Sequence, residues 1–197
     1  MSATKKTGLF FGSFNPIHIG HLILANYILE HTDMEELWFV VSPQNPFKDK
    51  KSLLADHNRL EMVELAIQHY PKMRASNIEF SLPQPSYTID TLAYLHEKYT
   101  SHQFSLIMGE DNLAHLHKWK NAQTLVDNHQ IIVYPRLFEG NTTDYPFAHH
   151  ENIHEVSAPI IELSATEIRK MIKEHKNVRP MLPPEVFEYL DGSHFYQ

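Results

Sequence analysis

Apolar runs too short to be buried helices alternate along this chain with longer helix-like segments, and that alternation restricts the fold more than any other feature. Residues 8–11, 36–41, 104–108 and 131–134 are short, β-prone and nearly continuous in apolar character. Strands of a sheet covered on both faces read this way. Between them, residues 22–29, 56–70 and 88–99 have helix length, with Leu60, Val63 and Ile67 forming one apolar stripe. Residues 76–80 and 153–156 read as further short strands, and a helix is expected to start near Asn121. Two more helices open at Ser164 and at Pro183-Pro184-Glu185. The chain therefore reads as one α/β domain over 1–197, a doubly wound, mainly parallel sheet with a C-terminal helical part from about residue 164. In such sheets ligands collect where strands end and helices begin. That rule directs attention to residues 12–21, 45–48, 109–112 and 164–169. Residues 136–152, rich in Gly, Asn, Thr, Pro and His, read as an irregular surface excursion.

Composition removes several classes of function. The net charge of −7 argues against broad nucleic-acid binding while leaving room for a local basic pocket. With 0 cysteines, disulfides, thiolate metal sites and a cysteine nucleophile are excluded. No uninterrupted apolar run reaches the roughly 18 residues of a membrane helix. Gly12, Asn15, Pro16, His18 and His21 interrupt the run after Lys5-Lys6, so a signal peptide is not expected either. The expectation is a cytoplasmic enzyme-sized domain, with its oligomeric state left open.

Gly12-Ser13-Phe14-Asn15-Pro16-Ile17-His18-Ile19-Gly20-His21 joins the first strand to the first helix. A small-residue turn before a helix N-terminus suits anions, because the first-turn N–H groups have no intrahelical partner. His18 and His21 lie on one helix face if the helix has begun by then. As isolated histidines they are equally well surface polar residues, or two ligands of a metal. A second candidate is Ser164-Ala165-Thr166-Glu167-Ile168-Arg169. Ser164 and Glu167 match a capping box, which leaves Arg169 as either a solvated charge or a guanidinium aimed at a phosphate. Elsewhere Ser86 or Thr88 is a candidate cap for the helix at 88–99, and Asp111 for a short helix after 109. His149, His150 and His154 read as loop residues.

The ten-residue string resembles the (T/S)-x-(D/N)-P-x-H-x-G-H signature of the nucleotidyltransferase superfamily. The 164–169 segment is similar to its I-S-(S/A)-T-x-(I/V)-R motif, with Leu163 in the usual Ile position. Many relatives carry Asp where Asn15 stands and Gly where Phe11 stands. Asn keeps the hydrogen-bonding shape and removes a charge. Pro85-Ser86-Tyr87-Thr88-Ile89-Asp90-Thr91-Leu92, Met108-Gly109-Glu110-Asp111-Asn112, Trp119 and the loop Asn45-Pro46-Phe47-Lys48 resemble the nicotinate mononucleotide adenylyltransferases, and the resemblance covers nearly the whole chain.

The resemblance implies a Rossmann-like nucleotidyltransferase fold and adenylyl transfer from ATP to nicotinate mononucleotide. It implies catalytic roles for His18, His21, Lys48 and Arg169. It places ATP on Gly12, Ser13, Phe14, His18, His21, Gly109, Asp111, Ser164, Thr166 and Arg169. It places the mononucleotide on Asn45, Lys48, Tyr87, Thr88, Trp119 and Arg136. Mg²⁺ is expected to arrive with ATP, held mainly by its oxygens and water. The alternatives are an adenylyltransferase for nicotinamide mononucleotide or phosphopantetheine, and an ATP-binding module without chemistry.

Overall fold

A computed structural model describes residues 4–43, 53–138 and 145–197. Among these residues, six strands form one sheet: β1 (Lys5–Gly12), β2 (Glu36–Val41), β3 (Met73–Ser76), β4 (His102–Gly109), β5 (Ile131–Tyr134) and β6 (Ile153–Glu155). Their spatial order is β3-β2-β1-β4-β5-β6, and every pairing is parallel. That is the order of a doubly wound nucleotide-binding sheet.

Successive strand residues divide between two cores. In β2, Leu37, Phe39 and Val41 face one core while Trp38 and Val40 face the other. The first core is completed by α1 (Ile19–His31), α2 (Asp56–Ile67), α6 (Ala165–Lys173) and α7 (Pro184–Asp191). Leu92 and Leu95 of α3 (Thr88–Lys98) and Leu125 and Val126 of α5 (Ala122–Asn128) cover the other face. Burial on both faces is why the strands read as continuous apolar runs rather than as alternating ones.

The structure departs from the sequence reading in particular places. Residues 76–80 are not a strand. The third strand ends at Ser76, and Ile78–Ser81 form a 3₁₀ turn. Ile78 is buried there in the second core and Glu79 is buried beside the site, so apolar spacing at 78 and 80 reflects a turn's inward face. Neither Ser86 nor Thr88 caps α3. The cap position is Tyr87, whose carbonyl accepts from the Asp90 and Thr91 N–H groups. Asp111 lies inside the short α4 (Glu110–Leu113), which Gly109 precedes. Of the capping box at α6 only one half forms: Ser164 Oγ accepts from the Glu167 N–H at 3.2 Å.

Candidate active site

The site lies where the chain leaves β1 toward one face of the sheet and β4 toward the other. In a doubly wound sheet, this crevice between diverging loops is where ligands bind. Two cavities open there and share Phe10, Phe11, Gly12, Ser13, Asn112 and Tyr134 as common wall.

The loop after β1 is held tightly. A Cβ at Gly12 would lie 2.7 Å from the Phe14 ring, so only glycine lets that ring fold back under the strand end. Phe14 adopts φ 44°, a left-handed conformation costing roughly 1–2 kcal/mol for a residue with a side chain. Its buried ring offsets that cost through edge-on packing with Phe39 at 5.5 Å and His21 at 5.2 Å.

His18 is the N-cap residue of α1, with extended backbone. Its N–H donates to His21 Nδ1 at 3.2 Å, and the two rings stack at 3.8 Å. An accepting Nδ1 leaves the neutral His21 ring with its proton on Nε2. The His18 ring is buried, and its Nδ1 has no hydrogen-bond partner among the described residues. Burial, and then the Arg136 guanidinium, lower its pKa to about 4, so near neutral pH the imidazole is uncharged.

Asn15 is 1% exposed and joins distant parts of the chain. The Leu54 N–H donates to its Oδ1 at 3.2 Å, and the Tyr196 hydroxyl donates to the same oxygen at 2.6 Å. Arg169 Nη1 donates to the Asn15 carbonyl at 2.8 Å, while Nη2 donates to Thr166 Oγ1 at 3.3 Å. The two motifs, 154 residues apart, are thus in direct contact.

Arg59, which sequence reasoning missed, lines neither cavity but holds the loops that do. Fully buried, it donates to the carbonyls of Ser13 (2.6 Å), Ser42 (2.9 Å) and Leu54 (3.1 Å), and pairs with Asp56 at 2.6 Å. It ties the loops after β1 and β2 to the start of α2. The only signal was an Asp–Arg pair three residues apart, which also describes a solvated helix face.

The second cavity gathers His18, His21, Asp111, Ser164, Thr166 and Arg169, with Phe14 in its wall. Arg136, expected with the mononucleotide, also lines this cavity, 3.9 Å from Asp111. Gly109, expected with ATP, lines the first cavity. Tyr134, common to both, has its hydroxyl pushed up to about 12, chiefly by burial, and stays neutral.

Tyr87, Thr88 and Trp119 come together in the first cavity, as expected. The α3 helix begins at this wall, where the N–H groups of Thr88 and Ile89 come before the first bond to the Tyr87 carbonyl. Lys120 closes the rim, paired with Asp90 at 2.7 Å and lying 4.9 Å from the centre of the Tyr87 ring. Glu79, also missed from sequence, accepts from Thr91 Oγ1 at 2.8 Å and from the Ser42 side chain, and burial raises its pKa. Asn45 and Lys48 lie outside the described residues.

Among the described residues no group of three or more His, Asp or Glu side chains is arranged to hold a metal ion. Of the loop histidines, His150 pairs with Asp127 at 3.2 Å, and His154 lies in β6. No described helix is long and apolar enough to cross a membrane.

The cytidylyltransferase-like family pattern matches residues 9–171. A probable nicotinate-nucleotide adenylyltransferase of Flavobacterium psychrophilum is 56% identical over 98% of this chain and 99% of its own. The chain belongs to the nicotinate-nucleotide adenylyltransferase family. A second family member, the probable enzyme of Bacteroides thetaiotaomicron, is 46% identical over 94% of this chain and 90% of its own. The fold recurs in the Plasmodium falciparum nicotinic acid mononucleotide adenylyltransferase solved with NaAD. That structure has a TM-score of 0.80 at 19% identity, covering 98% of this chain and 97% of that one.

Proposed function

We propose that this protein transfers the adenylyl group of ATP to nicotinate mononucleotide, releasing pyrophosphate and forming nicotinate adenine dinucleotide for NAD biosynthesis in the cytoplasm. The observation that carries the reading is the pair of cavities meeting at Gly12 and Ser13. One has the aromatic and backbone-donor lining of a pyridine carboxylate pocket. The other has the histidines, Arg169 and helix terminus of a triphosphate site. Relatives that match this chain end to end carry the same activity in their names.

In this reading a phosphate oxygen of the mononucleotide attacks the α-phosphorus of ATP. A new P–O bond forms, and the bond from that phosphorus to the β-bridging oxygen breaks, leaving pyrophosphate. The nucleophile is already ionised, so no enzyme nucleophile is needed. Catalysis is alignment plus neutralisation of charge. His18 and His21 meet the reacting phosphates. Arg169 and the α6 terminus at Ser164 and Thr166 hold the outer ones, Asp111 the adenosine ribose, and Gly12 and Ser13 allow close approach. Lys48 supplies charge near the joined phosphates, and Asn45 binds the mononucleotide. Mg²⁺ comes with ATP, coordinated mainly by triphosphate oxygens and water. Trp119 stacks on the pyridine, and the N–H groups at Tyr87 and Thr88 read its carboxylate. A carboxamide would turn an N–H₂ toward one of these donors and cost about 1–3 kcal/mol.

Pyrophosphate release from MgATP, compared for nicotinate mononucleotide, nicotinamide mononucleotide and phosphopantetheine, tests the assignment. Preference for the nicotinate substrate by about tenfold or more is the expected result. Preference for either other acceptor would overturn it.

A further inference from the structure

The chain after α7 returns to the loop that follows β1, and nothing in the reaction described above uses it. Phe195 and Tyr196 pack against the first core, with Phe195 at 6.0 Å from the Tyr189 ring. Tyr196 is at φ 65°, a left-handed conformation that persists only where its surroundings compensate. Its hydroxyl makes the 2.6 Å bond to Asn15 Oδ1.

We propose that Tyr196 is a positioning residue for the phosphate loop, acting through Asn15 on the turn that carries His18. This rests on the adenylyl-transfer reading and deepens it. Asn15 Oδ1 receives two donors from opposite sides in sequence, the Leu54 N–H and the Tyr196 hydroxyl, so the amide plane is held at both approaches. Its backbone carbonyl receives Arg169. The orientation of Asn15 therefore couples the guanidinium on the triphosphate side to the turn leading through Pro16 to His18. The 2.6 Å bond from the phenol is the shorter of the two that this oxygen accepts, against 3.2 Å from the Leu54 N–H. Burial raises the Tyr196 hydroxyl pKa well above its ordinary value against the opposing pull of Arg169 and Arg59, which keeps the proton needed for donation. A phenylalanine fills the same space and removes only that proton and oxygen.

The test is a double-mutant cycle on kcat with Tyr196→Phe, Asn15→Ala and the double variant, run well below each melting midpoint. Tyr196→Phe should lower kcat about tenfold, because small misplacements of reacting groups cost this much or more. KM for the mononucleotide should stay within about twofold of the parent value. In the double variant, kcat should match that of Asn15→Ala alone, since the hydroxyl acts only through that amide. A Tyr196→Phe enzyme with parental kcat would overturn the proposal. Factors that multiply in the double variant would overturn it as well, including where Tyr196→Phe also lowers the melting point.

Calorimetric binding of α,β-methylene ATP separates this result from the functional reading. A parent that binds the analogue but releases no pyrophosphate defeats only the proposed activity. The loop is then judged by affinity: about tenfold weaker analogue binding by Tyr196→Phe supports its positioning role, and equal binding overturns it.

Discussion

His18 is held neutral by burial in the cavity to which the proposed reaction assigns the triphosphate. An imidazole with a pKa near 4 adds no positive charge of its own, and a negative phosphate beside it would favour protonation. His18→Ala should therefore lower kcat by about 10²–10³ with little loss of fold, the scale of losing one transition-state donor. Steady-state kinetics together with circular dichroism would check this. The same ring predicts a pH dependence of stability. An unfolded histidine titrates near 6.5 and His18 in the fold near 4, so between those values the unfolded chain binds more protons. Stability is unaffected above pH 6.5 and falls by up to about 3 kcal/mol as pH drops toward 4. Urea midpoints measured across that window should drop less steeply for His18→Asn than for the parent. Gly20 belongs to the same local design: a Cβ there would lie 3.0 Å from His18 Nδ1 and from Ile161. Gly20→Ala should reduce kcat more than it reduces stability, because the easier adjustment is a shifted His18 ring. A normal rate in that variant would show that the ring has slack.

Elements hold these residues in place through a few buried connections. Arg59 on α2 is the strongest, since its guanidinium gathers carbonyls from the loops after β1 and β2. Arg59→Met keeps much of the side-chain length but strands those buried carbonyls. It should destabilise the fold by about 3–5 kcal/mol in chemical denaturation. A loss below 1 kcal/mol would mean that water replaces the guanidinium. The loop before α5 places Trp119 against the α3 terminus, with Lys120 clasping Asp90. Trp119→Ala should mainly raise KM for the mononucleotide, by roughly tenfold for one lost stacking contact. Unchanged acceptor KM with weakened ATP binding would move Trp119 to the other substrate. These elements were legible to different degrees. Residues 131–134 and the start of α5 after Asn121 were readable because strand burial and turn chemistry are local. The turn at 78–81 was not, because two apolar residues at alternate positions fit a strand and a 3₁₀ turn equally. Arg59, Glu79 and Tyr196 were invisible as site residues. The contacts that give them their roles reach Ser13, Thr91 and Asn15, which lie 46, 12 and 181 residues away, and such pairing leaves no periodic trace.

At the scale of the molecule, an all-parallel sheet with its switch between β1 and β4 brings two cavities to one wall. The apolar runs made that sheet readable, and the rule for ligand placement directed attention to 12–21, 109–112 and 164–169 before any side chain was located. How the residues divide between two cavities was not readable: Gly109 lines the first and Arg136 the second, a division set by side-chain placement that leaves no trace in local sequence. In the proposed mechanism the acceptor phosphate and the α-phosphorus meet in line across the shared wall, and no enzyme-bound adenylate forms. The stereochemical course at the α-phosphorus tests that most directly, using ATP with one chiral α-phosphorothioate and analysing the dinucleotide product. Inversion is predicted, because one in-line displacement reverses the phosphorus once. Retention would require two displacements, and with them a covalent intermediate that this account does not contain.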